Sequence, residues 1–228
     1  GIIEAFYAKG FDKKRFLAFG KPYRIVNPGH SIKMFPSQYA THFAITAGLE
    51  MHAKVGDPKR IRKVAMRGPV MNYIDRAAPV SGLAGKFSLQ YTAAAALLDG
   101  SVKIDTFTDK RRFRADMVAM LGKIKLTQDA SIPNDLHDMR IEITVTMDDG
   151  AAHQVVCKGP KGTWGMPPLR DEDHRVKLED CFSRVLSGAK VDEVLTNLDR
   201  IERQSADGVR DILKIIAGKK KAGKSRSK

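Results

Sequence analysis

The chain has 228 residues, 43% of them apolar, and a formal net charge of +14. That apolar share is ample for a core in one large domain or two small ones, which excludes a disordered class. No run approaches the roughly 18 apolar residues of a membrane span, and the start G-I-I-E-A-F-Y has neither the basic flank nor the long apolar stretch of a signal peptide, so a soluble, cytoplasmic protein is expected.

In chain order, a helical end over Ile2–Ala8 leads into a connection punctuated by Gly20, Pro22, Pro28 and Gly29. Lys33-Met34-Phe35-Pro36 follows, then Ser37, which can cap a helix whose Tyr39, Phe43, Ala47 and Met51 share one face as far as Gly56-Asp57-Pro58. A cation fixed before a helix start, with the first free N–H groups pointing back at it, suits a carboxylate; the plainer reading is a solvated lysine before an ordinary helix. Arg60–Arg67 alternates basic and apolar residues like an edge strand, and Val70–Ile74 reads as its continuation.

Ala84–Leu98 predicts a helix through the alanine run Ala93–Ala96, whose small side chains permit close packing, with Asp99-Gly100 as the stop. Asp109–Leu121 predicts a second helix with Phe113, Met117 and Met120 as its apolar stripe. Lys123–Gln128 and Arg140–Met147 are strands. The second places Ile141, Ile143, Val145 and Met147 on one face and turns through Asp148-Asp149-Gly150 into His153–Cys157 as a hairpin.

From Asp171 onward the pattern is helical again, in three segments broken at Gly188 and around Ser205 and ending near Ala217. These helices look too few to form a core of their own and need a partner surface. Helices and strands mixed early and segregated late indicate an α+β fold, here a mixed helix and antiparallel-sheet domain followed by C-terminal helices. The expected division is 1–170 for the α+β domain, 171–217 for the helices and 218–228 for a disordered basic tail.

Six of the excess cations sit in that tail, which leaves +8 on the rest. Such an excess suits anionic ligands of any size, including small polycarboxylates. A nucleic-acid-binding protein using the tail and the Arg60–Arg67 strand is the alternative of another class, but aromatics are 7% of residues and do not interleave with the charges. Cys157 and Cys181 lack a C-x-x-C partner or a histidine pattern and read as reduced thiols. His30, His52, His137, His153 and His174 have no ligand spacing, so no metal is expected.

Several stretches together resemble one family: K-M-F-P-S-Q-Y-A-T-H at Lys33–His42, Tyr73 after R-G-P-V-M-N, A-G-K-F-S-L-Q-Y with A-A-A-L-L-D-G at Ala84–Gly100, and the later G-T-W-G-M-P-P-L-R-D-E-D. These are similar to the MmgE/PrpD family, which includes 2-methylcitrate dehydratases, cis-aconitate decarboxylases and iminodisuccinate epimerases. The resemblance implies a cofactor-independent lyase acting on a di- or tricarboxylate, with an isomerase or epimerase as the alternative. Family members are longer chains that pair as homodimers, with a large helical domain and a smaller α+β lid, so this chain resembles the C-terminal half. A truncated chain, a proteolytic product or one half of a split enzyme is the corresponding expectation, inactive without an N-terminal helical domain that carries the main acid and base groups.

The resemblance also implies roles. Lys33 matches the lysine of the family's K-x-[FY]-P motif and is the candidate carboxylate anchor. Tyr73 matches a tyrosine that approaches substrate in decarboxylase-like members, and a phenol can donate a hydrogen bond or relay a proton; the plainer reading is an interfacial tyrosine. Gln38 stands where decarboxylase-like members carry histidine; an amide binds but cannot titrate, which leaves dehydration or epimerisation the more open. His42, one turn beyond Gln38, is either a group that reaches the cleft as a catalytic residue or a packed histidine beside Tyr39 and Phe43. Lys86 is either a second carboxylate-binding cation or a helix-surface lysine.

Overall fold

The computed structural model describes residues 29–217, together with residues 5, 10–18, 20, 22, 23 and 25–27. Apart from Ala5, the helical end expected over Ile2–Ala8 lies outside the described residues, as does the basic tail from residue 218. The fold is α+β.

Helix α1 (Thr41–Val55) is buried along most of its length because it lies between two partners, the sheet on one side and helix α2 (Leu89–Asp99) on the other. Gly48 makes the second contact possible: a Cβ there would come within 2.7 Å of the Ala96 Cβ and 3.2 Å of the Ala93 carbonyl oxygen. The alanine run therefore sets a short distance between the two helices, as its small side chains predicted. The helix expected over Ala84–Leu98 is interrupted, however. Gly82–Gly85 forms a separate turn, and α2 begins only after Ser88, whose side chain accepts from the Tyr91 N–H at 2.9 Å.

The expected Asp109–Leu121 helix also divides, into a turn at Asp109–Arg112 and helix α3 (Ala115–Lys123), because Arg114 is extended between them. Met117 and Met120 are buried as expected, but Phe113 is exposed, with the Arg112 guanidinium 5.0 Å from its ring centre. Arg111 is held by Asp99 at 2.8 Å and Asp116 at 3.2 Å, so the break is fixed by charge pairing that the apolar pattern does not report.

Strands β1 (Ile61–Gly68), β2 (Ile124–Gln128), β3 (Ile141–Met147) and β4 (Ala152–Cys157) make one sheet in the order β2-β1-β3-β4. The hairpin β3–β4 pairs Ile141 with Cys157 and Val145 with His153, and the alternate residues of β3 are buried against the helices. Two expectations are corrected. The sheet is mixed, not antiparallel, because β1 and β2 are parallel neighbours joined by the crossover that carries α2 and α3. Strand β1 is interior, not an edge, since its alternation records that one face is covered and the other is wet, and says nothing of its neighbours.

Residues 70–74 turn away from the sheet instead of continuing β1. The Met71 N–H is taken by the Gln128 side chain at 3.1 Å, and the Gly68 carbonyl accepts from the Asp129 N–H at 2.8 Å.

Helices α4 (Asp171–Phe182), α5 (Gly188–Leu198) and α6 (Ala206–Ala217) follow the three expected segments. They do make a small apolar cluster of their own, from Leu186, Val191, Val194, Leu195 and Ile212, separate from the main core. Val185, Ile201 and Leu213 remain exposed.

Candidate functional site

The K-M-F-P segment is held in place by the G-T-W-G loop. The Ile32 N–H donates to the Gly162 carbonyl at 2.7 Å, the Trp164 N–H donates to Ser31 Oγ at 3.2 Å, and the Tyr39 and Thr163 hydroxyls share a hydrogen bond of 2.6 Å. Gly162 has a φ of +82°, and a Cβ there would lie 2.7 Å from the Ile32 carbonyl oxygen. Only glycine combines that conformation with so close an approach.

His42 pins the same segment from below. It is fully buried, its ring stacks on Tyr39 with centroids 5.0 Å apart, and its Nε2 lies 3.0 Å from the Phe35 carbonyl. A carbonyl only accepts, so Nε2 carries the proton; Nδ1 is then a bare acceptor, and no donor among the described residues meets it. Burial, and secondarily the Lys33 charge, push its pKa down to about 4. Such an imidazole is neutral near pH 7 and packed, and it is not on the wall of the cavity described below.

The expected helix-start receptor differs from the observed one. Helix α1 begins at Thr41, not Ser37, and its first amides are already used: Thr41 N–H by the Gln38 carbonyl at 3.1 Å, His42 N–H by Tyr39 at 2.9 Å and Phe43 N–H by Ala40 at 3.4 Å. The Ser37 hydroxyl accepts from the Thr41 hydroxyl at 2.9 Å and does not cap. What remains for an anion is the lysine alone.

Lys33 is exposed and stands on the wall of a cavity of about 550 Å³. One side is the Lys33–Pro36 segment, the floor includes Leu49 and Val102, and the far side is α4. Asp173, Val176, Lys177, Asp180 and Cys181 face it at helical spacing, a stripe whose mixed chemistry hides it from an apolar-periodicity reading. Two ion pairs and a hydrogen bond hold α4 there: Lys161 with Asp173 at 3.2 Å, Arg184 with Asp105 at 2.6 Å, and Asp180 accepting from the Ile104 N–H at 2.9 Å. Among the described residues, Lys33, Lys103 and Lys177 make no ion pair.

Gln38 and Tyr73 meet each other but are not on that wall. The Gln38 side-chain amide donates to the Tyr73 hydroxyl at 3.3 Å, and Tyr73 is 51% exposed. Sequence reasoning missed what holds the Tyr73 loop. Asp75 accepts from the Gln90 amide at 2.6 Å and from the Gln128 amide at 2.7 Å, so one carboxylate ties the loop to α2 and to β2. Nothing in the local pattern marks two glutamines so far apart as partners. Lys86 ends the Gly82–Gly85 turn; its carbonyl accepts from the Gln38 N–H at 2.9 Å, while its ammonium lies 5.7 Å from the Phe107 ring centre. Its backbone, more than its charge, is joined to the Gln38 segment.

Among the described residues no three histidine, cysteine or acidic side chains converge to hold a metal ion. No helix among them is long and apolar enough to cross a membrane.

The MmgE/PrpD C-terminal domain model matches residues 35–200, which takes in the whole sheet, α1 to α5, Gln38, His42, Tyr73 and Lys86. The chain belongs to the MmgE/PrpD family. Lys33 stands just before the matched segment. Two curated relatives are similar over the same region: the mouse (Mus musculus) cis-aconitate decarboxylase, 28% identical over 179 residues, and the human (Homo sapiens) cis-aconitate decarboxylase, 27% identical over 181 residues. Each match covers 75% of this chain but only 36% and 37% of the relatives, so the chain spans a little over a third of their length.

Proposed function

We propose that this chain is the lid portion of a cofactor-independent lyase that acts on a small di- or tricarboxylate by removing a proton next to a carboxylate. The observation that carries this reading is Lys33, an ammonium without an ion-pair partner among the described residues, placed on a cavity wall at the edge of an MmgE/PrpD match. Proton loss beside a carboxylate builds a second negative charge on the same group. A fixed cation at about 4 Å would oppose that charge by around 4 kcal/mol at an effective dielectric near 20, before desolvation is counted.

In this reading Tyr73 serves the leaving group. Its oxygen accepts from Gln38, and its proton is donated only to the Met71 thioether at 3.8 Å, a weak acceptor that a departing hydroxyl would displace; a phenol is suited to that step as a donor, not as a base. Similarity to cis-aconitate decarboxylases supports a lyase on a tricarboxylate-derived acid. Gln38, where the resemblance implies histidine in decarboxylase-like members, favours dehydration over decarboxylation, because an amide does not titrate near pH 7 and cannot serve as an acid or base. The initial base is expected from an N-terminal helical domain of the family type.

The test combines this chain with an N-terminal helical half from the family and offers 2-methylcitrate, aconitate and aspartate-derived diacids. Turnover of one of them is expected, with Lys33→Gln lowering kcat/KM about 100-fold. Absence of turnover with every acid, or full activity in the Lys33→Gln protein, overturns the proposal.

A further inference from the structure

A small polycarboxylate anchored on Lys33 would fill only one end of the cavity between α4 and the Lys33 segment, and much of the remaining wall is apolar. Its interior is lined by Met34, Phe35, Leu49, Val102, Ile104 and Val176. Its polar groups fall into two sets. Asp173 is already neutralised by Arg170 at 2.9 Å and Lys161 at 3.2 Å, and Asp180 by Arg184 at 2.8 Å and the Ile104 N–H at 2.9 Å. Lys33, Lys103 and Lys177 have no such counter-charge among the described residues. The wall is therefore an apolar trough bordered by uncompensated ammonium groups. Its volume of about 550 Å³ falls in the range that encloses most of a drug-sized molecule, and exceeds what a short diacid fills.

We propose that this cavity binds an aliphatic monocarboxylate, its hydrocarbon chain on the Met34, Phe35 and Leu49 side and its headgroup among Lys33, Lys103 and Lys177. The site shares Lys33 with the proposed lyase site and rests on that reading for this one residue; a bound fatty carboxylate would compete there with substrate. Val176 and Lys177 belong to the amphiphile alone, so variants at these positions separate the two.

The molecule carries its own reporter. Cys181 is exposed on the cavity wall and Cys157 is buried, with burial raising its thiol pKa to about 11, so a neutral alkylating agent such as N-ethylmaleimide reads Cys181. The experiment measures the alkylation rate of Cys181 in the full chain against hexanoate, octanoate and decanoate, each below its micelle concentration. Saturable protection is expected, with the half-protecting concentration falling about fourfold for each added methylene. Lys177→Gln and Val176→Asp should each raise that concentration about tenfold, while decylamine and citrate protect little.

Both variants alter side chains on the surface of α4, and circular dichroism checks that the helix is retained. Lack of protection, protection independent of chain length, equal protection by decylamine or citrate, or unchanged protection in both variants overturns the proposal. Turnover is not read, so failure here leaves the lyase proposal standing, and failure of the turnover test leaves this one standing.

Discussion

Protonating His42 would put a charge on a buried ring whose neighbour Lys33 is already cationic. The imidazole pKa is pushed from 6.5 down to about 4, first by burial and then by Lys33. A depressed histidine pKa means that the unfolded chain takes up the proton first. Stability from this residue is therefore present above pH 6.5 and lost as the pH falls toward about 4. The shift amounts to about 3 kcal/mol. Urea unfolding at a series of pH values should show that loss in the wild type and a flatter profile over the same window in His42→Gln, whose amide does not titrate; an unchanged profile would count against it. At this scale the sequence could state both roles for His42 but not choose, because a histidine one turn past Gln38 has the same spacing whether it faces a cleft or a core. Lys33 differs. Its exposure follows from the chemistry of lysine, whereas its place on a cavity wall depends on the G-T-W-G loop and α4, both distant in the chain.

At the scale of elements, the α1–α2 contact is a close steric constraint. Gly48→Ala would drive a methyl group against Ala96 and the Ala93 carbonyl, and should cost about 1–3 kcal/mol of stability. Ala96→Gly in the same chain should restore part of it, because the clash is mainly with the Ala96 Cβ at 2.7 Å. Chemical denaturation of the two single variants and the double variant measures both effects; additive losses would rule out the steric account. Strand β3 and the hairpin were legible because alternation every second residue directly reports a half-buried strand. The position of β1 in the sheet was not, since its parallel partner β2 is supplied by a distant segment. Helix breaks at Ser88 and Arg114 were hidden for a similar reason: they depend on the Ser88 cap and on the Arg111 pairs with Asp99 and Asp116, while the local apolar pattern runs on.

Across the whole molecule, the apolar residues gather in two clusters, and the smaller one on α4 to α6 meets the body through charges. Those pairs are largely exposed, so each contributes little and all are screened by salt. At about 1 M salt, where the screening length falls to about 3 Å, amide hydrogen exchange across 171–217 should rise by about tenfold while α1 stays protected. Exchange that rises equally in both regions, or in neither, would show that the small cluster is not held separately.

The sequence by itself determined the α+β class, the β3–β4 hairpin, the three final helical segments and the family, because each depends on periodicity or on motifs within a short stretch. Only the tertiary structure decided that β1 is interior, that the first amides of α1 are already bonded, that His42 lies in the interior, and that Lys33 and α4 wall one cavity. Those outcomes depend on which distant groups meet, and the energy that selects them comes from burial and pairing between segments that carry no mark of one another.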